Sequence, residues 1–199
     1  NKRLLEGKGV IRECNHQTQY QQLEIIPSIG TELIATDKLL GASTGQRHVI
    51  LKRALREIRN DYDIVIIDHA PTFNNITVNG LFCSNEIIIP LKPGGFELKG
   101  LIDTLEELFD IEDDYECEYK IKIVMNMIPR GVRPAYISFI NKIREFYGDT
   151  ILQTTVGYQD AVASRSTMSG KLLYNSKTGV GEDYRNLVDE LIKEFDNEI

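Results

Sequence analysis

Asp68 and Thr72 stand where this chain could do chemistry. Asp68 follows Ile64-Val-Ile-Ile67, a β-branched run too short for a helix and apolar on both faces, and His69, Ala70, Pro71 and Thr72 come after it. Such a run reads as a central strand buried inside a parallel sheet. A carboxylate at the carboxyl end of a parallel strand lies where open α/β sheets hold their ligands; the simpler role for Asp68 is to cap the next helix. Pro71 keeps that helix from starting before about residue 72. Metal chemistry has less to build on. Cys14-Asn-His16 offers two ligands in a polar turn, and Cys14, Cys83 and Cys117 are odd in number with no CxxC spacing, so neither a zinc site nor a disulfide framework is indicated.

The elements that must position Asp68 can be read from periodicity. Leu23–Pro27 reads as a short strand closed by the Ser28-Ile-Gly30 turn, followed by a helical piece near Thr31–Leu40 and a loop over Gly41–Gly45. Gln46–Asn60 reads as one amphipathic helix, with Leu51, Ala54, Leu55 and Ile58 inward and Arg53, Arg56 and Arg59 on a solvated face. After the central strand come a helix around Asn74–Cys83, a buried strand Glu86–Pro90 and a long helix marked by Leu98, Leu101, Ile102, Leu105, Leu108 and Phe109. A strand over Lys120–Met125, a helix from near Pro134 to Gly148, a strand over Ile151–Val156 and a closing helix through Tyr184–Phe195 complete the chain. Strands and helices alternating in this way predict one α/β domain over 1–199 with a doubly wound, mostly parallel sheet flanked by helices.

Composition narrows the class. The chain has 199 residues, 42% apolar and 27% charged, which suits one globular domain. No apolar run reaches the ~18 residues of a membrane span and no signal-peptide pattern follows Asn1, which points to the cytoplasm. The net charge of −7 means that any affinity for DNA must come from a local basic patch.

The stretch Ile66-Ile67-Asp68-His69-Ala70-Pro71-Thr72 resembles the Walker B and switch region of the deviant Walker A ATPases of the ParA/MinD group. Asn75-Ile-Thr-Val-Asn79-Gly-Leu81, Glu86-Ile-Ile-Ile-Pro90 and Phe96-Glu-Leu-Lys-Gly100 follow in the order and spacing of ParA/Soj-type partition proteins, and the likeness runs on to Tyr184-Arg-Asn-Leu187. His69 and Ala70 depart from the residues commoner there. The resemblance implies a P-loop NTPase of SIMIBI-like fold that uses ATP and Mg2+ in plasmid or chromosome partitioning. It further implies a homodimer formed on ATP binding, nonspecific DNA binding on the nucleoid, and hydrolysis stimulated by a ParB-like centromere-binding protein.

Residue by residue, the resemblance gives Asp68 the magnesium ion, through bound water, and makes Thr72 part of a switch that senses the γ-phosphate. Thr72 has an N-cap role beside this, for a helix from Phe73. Asn126 and the loop 156–160, with Tyr158, would border the adenine; for Asn126 the alternative is to satisfy local backbone. Arg130 and Arg133 resemble a basic loop used near DNA, which Lys142 and Arg144 could extend. Arg165, in Ala161–Gly170, lies in a stretch resembling a second DNA-binding segment, although Tyr158 and Gln159 stand where Pro and Arg are frequent.

A glycine-rich loop with its lysine, needed to surround the phosphates, is absent from these residues. The expectation is therefore a longer natural ATPase of which this is the carboxyl-terminal two-thirds, inactive alone and exposing an apolar seam where the first strand would lie. Two rivals stand beside this reading. One is a MinD-like membrane-cycling ATPase, which calls for a basic amphipathic carboxyl-terminal helix where this chain has Glu182, Asp183, Asp189, Glu190, Glu194, Asp196 and Glu198. The other is a non-hydrolysing ParA-like adaptor that binds DNA or protein.

Overall fold

The computed structural model describes residues 2–42, 47–131 and 134–196, which form two compact units, one within residues 1–85 and one within 86–199. In the first unit a short helix, α1 (Lys2–Leu5), precedes a two-stranded antiparallel hairpin, β1 (His16–Gln17) and β2 (Glu24–Ile25), with Gln17 opposite Glu24. The Glu24 carboxylate accepts hydrogen bonds from Tyr62, Asn15 and Gln17. Tyr62 and Asn15 hold the Glu24 carboxyl below its ordinary pKa, and the same carboxylate pushes the Tyr62 phenol up. Beneath them Leu4, Ile11, Cys14 and Ile58 form a small core.

Helix α2 (Gly30–Ala42) matches the helical piece expected from Thr31 to Leu40, whereas residues 43–45 of the expected loop lie outside the described residues. The long helix expected over 46–60 is broken. Arg47–Val49 and Arg56–Ile58 are 3-10 turns on either side of α3 (Ile50–Leu55), and residue 46 lies outside the described residues. At its start the reason is Asn79, which is fully buried. Its Oδ1 accepts from Ile50 N (3.1 Å) and Leu51 N (3.4 Å), while its Nδ2 donates to Arg47 O (2.7 Å) and Asn75 O (2.9 Å). Val49, at the N-cap position, makes no side-chain cap of its own. A side chain from elsewhere therefore satisfies the first orphan amides and fixes where α3 begins. Helix α4 (Asn75–Leu81) starts on Asn74, whose Oδ1 accepts from Ile76 N (3.1 Å) and Thr77 N (3.0 Å). Asp37 of α2 accepts from Asn75 N (2.9 Å), a carboxylate on the positive end of α4.

The second unit winds β3 (Glu86–Leu91), α5 (Gly95–Tyr115), β4 (Lys120–Pro129), α6 (Pro134–Tyr147) and β5 (Ile151–Tyr158) into a parallel sheet of order β3-β4-β5, followed by α7 (Asp160–Ser169) and α8 (Gly179–Asp196). Alternation along β4 sends Ile123 and Met125 into a core with Leu101 and Leu105 of α5 and Ile143 of α6. Val124 points the other way, to Leu152, Val156 and the Tyr184, Leu187 and Leu191 stripe of α8. Helices thus cover both faces of a parallel sheet, the doubly wound arrangement that its apolar strands require.

The pairing of β4 with β5 is irregular. Ile123 pairs with Ile151 and Met125 with Thr155, so β5 carries extra residues between these partners. Gln153 N and Thr154 N instead donate to the two carboxylate oxygens of Glu190 on α8 (2.6 and 2.8 Å). One turn on, Glu194 pairs with the nearly buried Lys122 (2.7 Å) and with Lys120 (3.6 Å), and Lys122 holds its carboxyl below the ordinary range. Part of the acidic face of the closing helix is thereby consumed by the sheet. Glu190→Ala should cost about 1 kcal/mol, because it removes two charge-assisted bonds to amides of the bulge that water only partly replaces. Glu190→Gln, which keeps one acceptor, should cost less, with urea unfolding as the measurement.

Candidate functional site

The Ile64–Ile67 run, expected as a buried strand, is assigned to no helix or strand, joins no sheet and is not buried. Ile66 is 88% exposed, and Ile64 and Val65 are about half exposed. A β-branched run becomes a strand only when a neighbour takes its N–H and C=O groups. Among the described residues none of the five strands pairs with it. The expected central strand is thus replaced by an exposed, unpaired segment whose backbone makes no hydrogen bond to the described residues.

Asp68, at the end of this segment, is exposed, and among the described residues its carboxylate has no hydrogen-bond or salt-bridge partner. It does not cap α4, because Asn74 does. His69 turns inward onto α4, where Gly80 makes room for the ring: a Cβ at residue 80 would lie 2.1 Å from His69 Cε1. Burial lowers the His69 pKa, and the neighbouring Asp68 charge pulls it partly back up. The chain then bends sharply. Thr72 N donates to Ala70 O (2.7 Å), Thr77 Oγ1 donates to Thr72 O (2.6 Å), and the exposed Thr72 hydroxyl receives only a long bond from Asn74 Nδ2 (3.5 Å). The N-cap role considered for Thr72 thus belongs to Asn74, and the Thr72 hydroxyl is left facing solvent.

In the second unit the carboxyl ends of β4 and β5 lie side by side, with Ile128 opposite Gly157 and Pro129 opposite Tyr158. Asn126 accepts from Met127 N (2.8 Å), so its side chain serves local backbone at a bulge where Met127 has φ +55°. Tyr158 donates its hydroxyl to Asp160 (2.8 Å), and that carboxylate raises the phenol pKa. Arg130 donates to Asp183 Oδ2 (2.6 Å), which also accepts from Gly157 N (2.8 Å). The guanidinium lies against Gly157 and Gly179, where a Cβ would meet it at 3.0 and 2.6 Å. Ile128, Pro129, Arg130, Gly131, Thr155, Gly157 and Asp183 line a shallow cavity of about 200 Å³. Arg165 is exposed on α7, Lys142 is exposed on α6, and Arg144 donates to Gln153 O (2.6 Å) rather than extending a basic surface. Arg133 lies outside the described residues.

The structure therefore gathers Asp68, His69 and Thr72 on one segment, and Asn126, Arg130 and Tyr158 at one sheet edge. Reading the sequence missed Asp183, whose signal was the pair of glycines at 157 and 179. It also missed the seat that Gly80 provides for His69. Among the described residues no three His, Cys, Asp or Glu side chains gather as a metal site. A lone carboxylate suits magnesium only if phosphate oxygens and water complete its shell. Asp68 fits that demand, whereas a phosphate cradle is not among these residues.

A family model for an AAA domain, AAA_31, matches residues 2–123, more than half of the chain, and the chain belongs to this family. Two relatives are informative. The chain is 26% identical over 181 residues to the sporulation initiation inhibitor protein Soj of Bacillus subtilis (strain 168), covering 87% of this chain and 68% of that protein. It is 26% identical over 192 residues to the chromosome-partitioning ATPase Soj of Treponema pallidum (strain Nichols), covering 95% of this chain and 74% of that protein. Within the family it is thus of the ParA/Soj partition type, as the switch motif suggests. Two solved structures share the fold. A plasmid partition protein from Borrelia burgdorferi B31, bound to AMPPNP, superposes with a TM-score of 0.75 at 16% identity over 97% of this chain and 73% of that chain. Cobyrinic acid a,c-diamide synthase from Mycobacterium smegmatis, with a bound ATP analog and magnesium, gives 0.79 at 19% identity over 100% and 73%.

The His69 seat sets a pH dependence whose sign follows from burial. A histidine with a depressed folded pKa binds fewer protons folded than unfolded, so its contribution is complete above about pH 6.5 and is lost as pH falls through the folded value. Melting midpoints should fall from pH 7.5 to pH 5.5, and His69→Gln should flatten that slope. His48, also lowered by burial, supplies the remainder. Gly80→Ala should displace the imidazole and flatten the slope likewise. Its overpacking cost of about 1–3 kcal/mol exceeds the helix gain of up to about 1 kcal/mol.

Proposed function

We propose that this chain is the switch-bearing part of a ParA-type ATPase that acts in plasmid or chromosome partitioning, with residues 1–199 belonging to one ATPase domain. The observation that carries the proposal is the Asp68 carboxylate, exposed and without a salt bridge among the described residues, ending an apolar run and followed by the sharp turn at Thr72. In this reading ATP and Mg2+ are the cofactors: Asp68 holds the hydrated ion, and the exposed Thr72 hydroxyl reports on the terminal phosphate. Asn126 and Tyr158 border the base, beside the cavity at the ends of β4 and β5. The nucleotides in the solved neighbours and the partition roles in the relatives' names support the same assignment.

The ATP-bound form is a homodimer that binds DNA without sequence preference, through Arg133 and Arg165 and, once its bond to Asp183 opens, Arg130. A ParB-like centromere-binding protein stimulates hydrolysis, and the protein works in the cytoplasm on the nucleoid. A membrane-cycling role is disfavoured by the acidic residues of α8, and among the described residues no helix is long and apolar enough to cross a membrane. The 199 residues contain no glycine-rich phosphate loop, so hydrolysis is proposed for the ATPase in which such a loop accompanies them. The chain by itself is expected to be inactive.

Two measurements test this. In the ATPase that carries a phosphate loop, Asp68→Ala should abolish magnesium-dependent hydrolysis, and unchanged turnover would sink the assignment. For DNA, Arg133→Ala or Arg165→Ala should weaken binding alike on unrelated sequences and lower the log–log salt slope by about 1 for each phosphate no longer neutralised. A slope near zero in the ATP-bound wild type would leave DNA binding through these arginines without support and return the adaptor reading.

A further inference from the structure

Positive charge is distributed unevenly along this acidic chain. Residues 86–199 hold 13 lysines and arginines against 21 aspartates and glutamates, whereas residues 1–85 hold 10 against 9. Within the latter, residues 47–59 contain Arg47, Lys52, Arg53, Arg56 and Arg59 and one acid, Glu57. Several basic side chains elsewhere are committed: Arg12 to Asp61, Arg130 to Asp183, Lys122 to Glu194, and Arg144 and Arg185 to backbone carbonyls; the exposed Lys142 and Arg165 stand outside any such run of bases. Lys52, Arg56 and Arg59 are exposed, and none of them is in a salt bridge among the described residues.

The fold explains why they share a side. Ile58 is buried with Leu4, Ile11 and Cys14, and Ala54 and Leu55 pack against the same cluster. With positions 54, 55 and 58 turned inward, positions 52, 56 and 59 fall on the outward face at the i, i+4, i+7 spacing of one ridge. From residue 52 to 59 the helical rise is about 11 Å, counting the final turn as 3-10, which matches about three phosphates of one duplex strand.

We propose that Lys52, Arg56 and Arg59 form a second polyanion-binding ridge, separate from the DNA-binding arginines proposed at residues 130–165, whose partner is the phosphate backbone of duplex DNA. An anionic membrane fits less well, because the apolar side of this segment is already spent on the core and nothing remains to insert. None of the three side chains belongs to the proposed nucleotide site. The ridge therefore binds without nucleotide, and three neutralised phosphates give a log–log salt slope of about −2.7.

The test is fluorescence anisotropy of the chain with short labelled duplexes of two unrelated sequences, without nucleotide, across a salt series. Lys52→Ala/Arg56→Ala/Arg59→Ala should remove a slope of about 2.7 on both sequences, while Arg165→Ala should change it by no more than about 1. The melting midpoint of the triple variant checks its fold, and Arg59→Ala alone should remove about one third of the effect. An unchanged slope in a folded triple variant overturns the ridge and leaves the Arg133 and Arg165 reading standing. A wild-type slope near zero without nucleotide also overturns it. So does self-association in low salt that the triple variant relieves without any DNA affinity, since the acidic outer face of α5 on a second copy would then be the partner. A triple variant that loses binding while Arg165→Ala does not supports the ridge and counts against Arg165.

Discussion

A backbone amide removed from water must find an acceptor, and the acceptors available decide where each element of this chain begins and ends. In the second unit most come from the ladder of β3, β4 and β5; at the bulge in β5 Glu190 of α8 accepts instead, and farther on Asp183 of α8 accepts from Gly157. In the first unit there is little sheet, and side-chain amides do the same work. Asn74 starts α4, and Asn79 starts α3 from across the core. Where no partner strand is present among the described residues, as along Ile64–Ile67, a sequence of high strand propensity stays unpaired. These outcomes follow from one rule applied to different surroundings.

The same rule separates what could be read in the sequence from what could not. The parallel sheet and the long helices were legible because their signals are periodic and local: Leu101, Leu105 and Leu108 on α5, and Tyr184, Leu187 and Leu191 on α8. The break before Ile50 in the helix expected over 46–60 was not, because its cause sits at Asn79, far along the chain. The unpaired state of Ile64–Ile67 was hidden for a related reason, since strand composition says what a segment can pair with and nothing about whether a partner is there. At the candidate site Asp68 and the turn at Thr72 were visible from the polarity change after Ile67. The partners of Arg130 and Tyr158 were not, because Asp160 carries no mark that distinguishes it from a solvated acid, and the only mark of Asp183 lies elsewhere, in the glycines at 157 and 179 that leave room for the Arg130 guanidinium. The acidic helix α8 shows this most plainly: Asp183, Glu190 and Glu194 serve the sheet, while Glu182 and Asp189 remain outside.

Electrostatics divides along the chain as well. The −7 net charge conceals a nearly neutral first unit and a strongly acidic second one. Within the second unit the basic residues at the sheet are neutralised internally, Lys122 by Glu194 and Arg130 by Asp183. Pairing of this kind orients side chains and contributes little long-range field. The field that reaches solvent is set by the unpaired charges, which is why a global count is a poor guide to what this molecule attracts.

The bulge at Met127 has a consequence for the pleat of β4. Successive residues of a strand face opposite ways, so Ile123 and Met125 belong to one side and Val124 to the other. Strict alternation would send Ile128 to the side of Val124, yet it packs with Ile123 and Met125. The one residue inserted at Met127, in its left-handed conformation, resets the parity of everything after it. The last stretch of β4 is thereby read in a different frame from the first. Deleting a single residue there would exchange its inner and outer faces while altering no side chain that the core contains.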